Sequence, residues 1–236
     1  MLYEIYKENK IGNDYCVGDL HGNYTALYAL LDQIGFDKEK DRLFCLGDLT
    51  DRGADSNKVL ELLKNKWLFT IRGNHEDILI KHGLKPYAEC YQDINKEGNQ
   101  WFFAESLEHR QAIINRLNEL PYAIQVGNIG LVHAYPLPDW KDTLKAIKNR
   151  NKVEIGNIIW SRTASKAVQK GERIDAITNI GVVFVGHHIF KNPERHENVI
   201  FLDTGYYSGG SLTAVNLKTL KVAGRVFAKG HPNEKN

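Results

Sequence analysis

Five short segments of this 236-residue chain carry side chains able to do chemistry, and each follows a short apolar run. They read Gly18-Asp19-Leu20-His21-Gly22, Gly47-Asp48-Leu49-Thr50-Asp51-Arg52-Gly53, Gly73-Asn74-His75-Glu76, His133-Ala134 and Gly186-His187-His188. Asp and Asn offer hard oxygen donors and His a borderline nitrogen, a set that suits manganese, iron, zinc or magnesium rather than thiophilic metals. A carboxylate has two oxygens and can bridge two cations. Two ions about 3.5–4 Å apart can clamp the attacking and leaving oxygens of an in-line displacement at phosphorus. Metal-assisted phosphoester hydrolysis is the chemistry to expect. The flanking glycines are expected to let the backbone turn sharply, so that neighbouring side chains converge. Alone, a Gly-Asp after a strand is an ordinary turn with a helix cap. Two Asp loops, an Asn-His loop and two later histidines, all at strand ends, go beyond coincidence.

The elements that must position these loops are legible around them. Tyr15-Cys16-Val17 reads as a strand, and after the first loop Tyr24, Leu27, Leu30, Leu31 and Ile34 recur at helical spacing with Gly35 as the stop. Arg42 to Leu46 leads through the second loop to a helix near Asp55–Lys64, and Trp67 to Ile71 leads through the third to a helix ending near Gly83. Three consecutive strand-loop-helix units predict an α/β layer architecture. Ligands in open α/β sheets are held beyond the carboxyl ends of the strands, where these loops fall. Leu84 to Asn99 is polar and weakly patterned and reads as a surface excursion, and Ser106 to Leu120 reads as a helix stopped by Pro121. From Tyr122 the chain turns strand-rich, with Tyr122–Val126, Ile129–His133, Val182–Val185, Asn198–Leu202, Leu212–Asn216 and Val222–Phe227 predicting a second, largely antiparallel sheet. Residues 1–228 are read as one domain and 229–236 as a polar tail that frays.

Composition sets outer limits. With 31 Lys plus Arg against 29 Asp plus Glu, a formal charge of +2 and 42% hydrophobic residues, neither a nucleic-acid partner nor a membrane surface is predicted. The longest apolar run, Ile180 to Val185, falls far short of the roughly 20 residues of a membrane span, and the N-terminus lacks the pattern of a secretory signal, so a cytoplasmic address is the default. Cys16, Cys45 and Cys90 are odd in number and widely spaced, which indicates neither a disulfide framework nor a zinc knuckle. Cys16 and Cys45 are expected to pack as small apolar residues in strands.

Gly-Asp-x-His-Gly, Gly-Asp-x-x-Asp-Arg-Gly and Gly-Asn-His-Glu, in this order and at this spacing, resemble the phosphoprotein phosphatases of the metallophosphoesterase fold, and above all the phage lambda type serine/threonine phosphatase and its bacterial relatives. The resemblance covers nearly the whole chain, including Ile34-Gly35-Phe36-Asp37, Ile159-Trp160-Ser161-Arg162 and Leu202-Asp203-Thr204-Gly205. It implies a calcineurin-like α/β fold, a central β-sandwich of mixed sheets flanked by helices with a two-metal site at one edge. Carried over by position, it assigns Asp19 and His21 to a first ion, Asp48 as the bridging ligand, and Asn74, His133 and His187 to a second. Two divalent ions per chain are implied, manganese first, with iron, zinc, nickel or magnesium as alternatives. A water or hydroxide bridging the ions would attack phosphorus directly.

By the same resemblance His75 is the general acid, with Asp51 hydrogen-bonded to its other ring nitrogen. Arg52 and Arg162 would grip the phosphate oxygens, together with Asn74, because a planar guanidinium matches phosphate geometry. Read only from the residues, the lesser alternatives are that Asp51 pairs Arg52 in a turn and that Arg162 is a solvated surface residue. Glu76 is expected in the first turn of the following helix, favoured there by the helix dipole, and outside the catalytic set. Tyr206 and Tyr207, beside Gly209-Gly210, could line a substrate rim, with aromatic packing the more ordinary reading, and His82, His109, His196 and His231 read as surface or structural residues. Thr50, Asn23, Tyr135 and His188 depart from the common pattern without removing a ligand, and Gly186 makes His187 a better ligand than His188.

The implied activity is hydrolysis of phosphoserine and phosphothreonine in proteins or peptides, with phosphotyrosine open, in a bacterial or phage-infected cell. Symmetrical dinucleoside tetraphosphate hydrolases share the metal motifs and form the alternative, against which the Asp51-Arg52 pair weighs. An inactive phosphoprotein-binding module ranks last, because every ligand and gripping residue is intact.

Overall fold

The computed structural model describes residues 2–86 and 98–234. Most of the predicted excursion at Leu84 to Asn99, with Cys90, and the last two residues of the tail lie outside them. The first half of the chain delivers the three predicted strand-loop-helix units. These are β2 (Asp14–Val17) and α1 (Tyr24–Gln33), β3 (Arg42–Cys45) and α2 (Ser56–Glu61), then β4 (Leu68–Thr70) and α3 (Asn74–His82). Among the described residues α4 (Gln100–Phe103) and α5 (Leu107–Asn118) come next, the latter capped by the Ser106 hydroxyl.

The strands after Tyr122 do not form a separate, largely antiparallel sheet. β5 (Ala123–Val126), β6 (Ile129–Val132), β7 (Val182–Val185) and β9 (Val199–Phe201), with β1 (Tyr3–Tyr6) and β8 (Glu194–His196) at the edges, build a six-stranded mixed sheet, ordered β1-β5-β6-β7-β9-β8. Its β6, β7 and β9 run parallel. β10 (Ser211–Asn216) and β11 (Lys221–Phe227) instead extend the first sheet, ordered β11-β10-β2-β3-β4. The parallel run arises because helices, not hairpins, connect β6 to β7: α6 (Trp140–Lys148), α7 (Lys152–Trp160) and α8 (Thr163–Gln169). Sequence reading also passes over β1 (Tyr3–Tyr6) and β8 (Glu194–His196), short edge strands with little burial pattern of their own. β1 finds its partner, β5, more than a hundred residues away, which no local pattern can announce.

Burial alternates along the strands and sorts the molecule into layers. On β3, Leu43 and Cys45 face the cluster under α1 and α2, whereas Phe44 and Leu46 face the other sheet. On β7, Val182 and Phe184 face inward while Val183 and Val185 pack beneath α6 to α8. The result is a helix-sheet-sheet-helix sandwich whose central seam is apolar, including fully buried Cys16, Phe44, Leu131, Phe184 and Leu202. Buried Cys16 and Cys45 are strand residues, as expected. No helix among the described residues is long and apolar enough to cross a membrane.

Candidate active site

Parallel strands decide where the chemistry collects. β2, β3 and β4 are parallel in one sheet, and β6, β7 and β9 in the other, so six carboxyl ends meet at one edge of the sandwich. Asp19, Asp48 and Asn74 follow the first three strands, and His133, His187 and Asp203 the second three. All the sequence-assigned ligands therefore converge, and all six are at least nine-tenths buried.

The glycines meet the sequence expectation only in part: Gly22, like Gly47, turns through left-handed backbone. Gly47 has a left-handed φ of 94°, but Gly73 and Gly186 do not need left-handed backbone. They leave room. A Cβ on Gly73 would lie 2.2 Å from Asp48 Oδ1, and one on Gly186 would lie 2.2 Å from Asp19 Oδ1. The unusual backbone sits on the functional residues themselves: His21, Asp48, Asp51, Arg52 and His187 have φ of 44°, 47°, 72°, 66° and 65°. Left-handed conformations cost non-glycine residues free energy and persist only where surrounding contacts over-determine them. Those contacts are present: Asn23 Nδ2 donates to the carbonyls of Leu20 and His21, and the Asp48 carbonyl accepts from the amides of Leu20 and His21.

The Asp48 carboxylate is the centre of the cluster. Its Oδ1 lies 3.4 Å from His133 Nε2 and its Oδ2 3.6 Å from His21 Nε2. Asn74 Oδ1 lies 2.9 Å from His133 Nε2 and 2.8 Å from His187 Nδ1. Two ligands about 2.1 Å from one ion, at octahedral or tetrahedral angles, stand roughly 3.0–3.4 Å apart, and the spacings here, from 2.8 to 3.6 Å, bracket that range to within about 0.2 Å. Protons point the same way. His133 Nδ1 and His21 Nδ1 face the carbonyls of Leu46 (2.6 Å) and Thr50 (3.1 Å) and donate to them. In the neutral rings the Nε2 lone pairs then aim at carboxylate and amide oxygens, acceptor against acceptor. Burial disfavours a charged His133, yet Asp48 outweighs it and lifts its pKa to about 10. Burial holds His21 and His187 near 3, as neutral rings with a lone pair to give. Burial and the nearby Asp203 push Asp19 up, whereas His133, His75 and His21 together overcome burial and hold Asp48 well below the carboxylate range. The donors fall into two groups that share Asp48, one with His21 and His75 and one with His133 and His187, a set that fits divalent ions; Asp19, assigned from sequence to the first, lies outside both groups, on the His187 amide.

Beside this cluster stands the pair expected from sequence. His75 Nδ1 lies 2.8 Å from Asp51 Oδ2, and both groups are essentially inaccessible. Asp51 is thus not simply a turn partner of Arg52. Burial opposes a charged His75, but Asp48 and Asp51 outweigh it and raise its pKa. Arg52 Nη2 reaches His75 Nε2 at 3.1 Å, and Arg162 Nε reaches His187 Nε2 at 3.2 Å. Both guanidinium groups are exposed at the mouth of a 290 Å³ cavity lined by Asp48, Asn74, His75, Trp160 and Tyr207 among others.

Several supporting residues escape a sequence reading. Glu76 does occupy the first turn of α3, but its carboxylate does far more than face a dipole: it accepts the amides of Asp48 (2.9 Å), Leu49 (2.8 Å) and Gly73 (2.8 Å), tying two motif loops together. Asp203 is a buried carboxylate next to Asp19, raised to about 6 by burial. Tyr207 is more than packing, since Arg52 lies over its ring at 4.3 Å and its edge meets His21. Tyr207 does line the cavity, the lesser of its two sequence readings, and Asp203 is signalled by its place after a strand and within the Leu202-Asp203-Thr204-Gly205 stretch. His109, His196 and His231 lie away from the cavity, paired with Glu105, Glu194 and Phe227.

The family model of calcineurin-like phosphoesterases matches residues 15–212, the span that holds every residue of this cluster. The chain belongs to the calcineurin-like phosphoesterase family. This phosphoesterase is 28% identical over 221 residues to serine/threonine-protein phosphatase 1 of Salmonella typhimurium, covering 91% of this chain and 98% of that protein. It is 33% identical over 263 aligned positions to a symmetrical bis(5'-nucleosyl)-tetraphosphatase of Nitrosospira multiformis, covering 88% and 94%. A solved structure of a candidate diadenosine tetraphosphatase superposes with a TM-score of 0.72 at 21% identity, over 96% of this chain and 98% of that one. The fold is shared, and hydrolysis of phosphate esters or anhydrides is common to the relatives' names.

Proposed function

We propose that this phosphoesterase hydrolyses phosphoserine and phosphothreonine in proteins, and that the His75–Asp51 contact of 2.8 Å carries the choice. A nucleotide departs from a phosphoanhydride as a stable anion, whereas a seryl or threonyl oxygen departs as a strongly basic alkoxide and needs a proton in the transition state. A buried imidazole with a carboxylate on its far nitrogen is suited to that task. Asp51 keeps the proton of Nδ1 in place and stabilises the imidazolium, leaving Nε2 to face the leaving oxygen.

Asp19, His21 and Asp48 would hold one divalent ion, and Asp48, Asn74, His133 and His187 the other. When bound, such ions supply Lewis-acid polarisation of the phosphate and lower the pKa of water. The remaining steps belong to the chain. Arg52 and Arg162, resting on the ring nitrogens of His75 and His187, would turn guanidinium donors onto non-bridging phosphate oxygens, and Asn74 Nδ2 adds another. Moving Arg52 to the phosphate also clears His75 Nε2 for its proton. The phosphorus–oxygen bond of the ester breaks, water supplies the new oxygen on phosphorus, and the His75 proton ends on the released hydroxyl.

The test is a phosphoserine peptide and a diadenosine tetraphosphate assayed side by side on the manganese-loaded protein. The expected result is a higher kcat/KM on the peptide, with chelator-treated protein inactive and manganese restoring it best. The tetraphosphatase relative at 33% identity favours the second reading, a dinucleoside tetraphosphate hydrolase. Markedly faster cleavage of the dinucleotide would establish that reading instead.

A further inference from the structure

We propose that Trp101 is a positioning residue for His75, acting through Asp51, a step that rests on the general-acid reading above. The Asp51 carboxylate is fully buried and has two partners on opposite oxygens. Its Oδ2 faces His75 Nδ1 at 2.8 Å, and its Oδ1 accepts the indole Nε1–H of Trp101 at 2.8 Å. The terminal torsion of an aspartate is soft, so a single contact leaves the carboxylate plane free to rotate. Two contacts, one on each oxygen, fix the plane, and the plane of the imidazole follows it. Without the indole, Oδ1 would be a buried anionic oxygen lacking this donor, and Asp51 would gain by turning away from His75 to find another.

Trp101 comes from outside the motif loops, on the short helix α4, and it is itself held. Its ring meets that of Phe102 edge-on at 5.7 Å, and Phe102 is fully buried among Leu60, Leu79, Ile113 and Leu117. The same segment clasps the next residue of the motif: the Gly98 carbonyl accepts the Arg52 amide at 3.1 Å. A Cβ at Gly98 would lie 2.6 Å from that nitrogen, so the approach is open only to glycine there. Asp51 and Arg52 both carry left-handed backbone, and residues 98–101 supply contacts that hold them in it. Trp101 does not line the cavity, so it reaches the reaction only through Asp51.

A role in orienting the general acid has a readout that general packing lacks, namely dependence on the leaving group. Trp101→Phe, loaded with manganese, is to be compared with the parent protein and with His75→Asn on a phosphoserine peptide and on 2,4-dinitrophenyl phosphate, whose leaving group departs without a proton. The expected result for Trp101→Phe is a fall in kcat of about tenfold or more on the peptide, little change on the aryl ester, and unchanged KM. His75→Asn should show the same split, larger. Equal losses on both substrates, or none, with the His75→Asn split intact, overturn the role of Trp101. Absence of a split in His75→Asn overturns the general-acid reading itself. Should the phenylalanine variant fail to fold, 3-benzothienylalanine at position 101 keeps the bicyclic shape without the N–H, and the same split decides.

Discussion

Replacing Gly186 with alanine probes how the site is built, because the perturbation is a single methyl group placed against a candidate ligand. A Cβ on residue 186 would stand 2.2 Å from Asp19 Oδ1 and 3.2 Å from Leu46 Cβ, and real contacts of this kind do not fall below 3.0 Å. The carboxylate must therefore retreat by about 0.8 Å, since Leu46 closes the other side. It cannot retreat freely. Both Asp19 oxygens accept the His187 amide, at 3.2 and 3.1 Å, and that amide belongs to the residue following the glycine. Overpacking a tight site costs about 1–3 kcal/mol of stability. A displacement near 1 Å of a group in the reaction assembly costs on the order of a hundredfold in rate. The assay pairs urea unfolding of the chelator-treated protein with manganese titration and kcat/KM on a phosphoserine peptide. The expected outcome is a modestly destabilised protein that binds one manganese at least tenfold more weakly and turns over about a hundredfold more slowly. Wild-type manganese affinity and turnover in Gly186→Ala would refute the reading of this glycine as room for a carboxylate.

Gly156→Ala is the matched control: nothing lies within 4 Å of its Cβ position in the middle of α7, so it should stabilise by about 0.5–1 kcal/mol in the same urea unfolding and leave kcat/KM untouched. Glu76→Ala leaves the buried amides of Asp48, Leu49 and Gly73 without their acceptor; it should destabilise by roughly 3 kcal/mol or more and weaken manganese binding, because Asp48 loses the anchor of its loop. Asp48→Asn removes the carboxylate shared by both halves of the cluster, and elemental analysis should find less than one metal ion per chain together with loss of turnover. Retention of two ions in that variant would remove Asp48 from the shared position.

Much of the site is legible in the sequence because its residue types are constrained by chemistry rather than by packing. Asp19, His21, Asp48, Asn74, His133 and His187 stand at strand ends that local patterning locates; in space Asp48 groups with His21 and His75 on one side and with His133 and His187 on the other, Asn74 meets both later histidines, and Asp19 lies on the His187 amide. The supporting residues are less visible. Trp101 looks like any aromatic on an amphipathic segment, and its partner Asp51 is fifty residues distant. Tyr207 looks like core packing until Arg52 is seen lying on its face. The alternation of apolar residues identified most strands, yet β1 and β8 were too short and too exposed to produce one.

By itself, the order of residues determined the α/β class, the three strand-loop-helix units and the chemical character of the loops, since periodicity, glycine stops and donor type are local properties. Only the tertiary structure decided that β10 and β11 join the first sheet, and that β6, β7 and β9 run parallel so that His133 and His187 arrive opposite Asp19 and Asp48. It also decided that Gly73 and Gly186 serve as space and that left-handed backbone falls on functional residues as well as on Gly22 and Gly47. Strand direction, close approach and the partner of a buried carboxylate depend on segments far apart in the chain, and they come into being only when two sheets pack face to face.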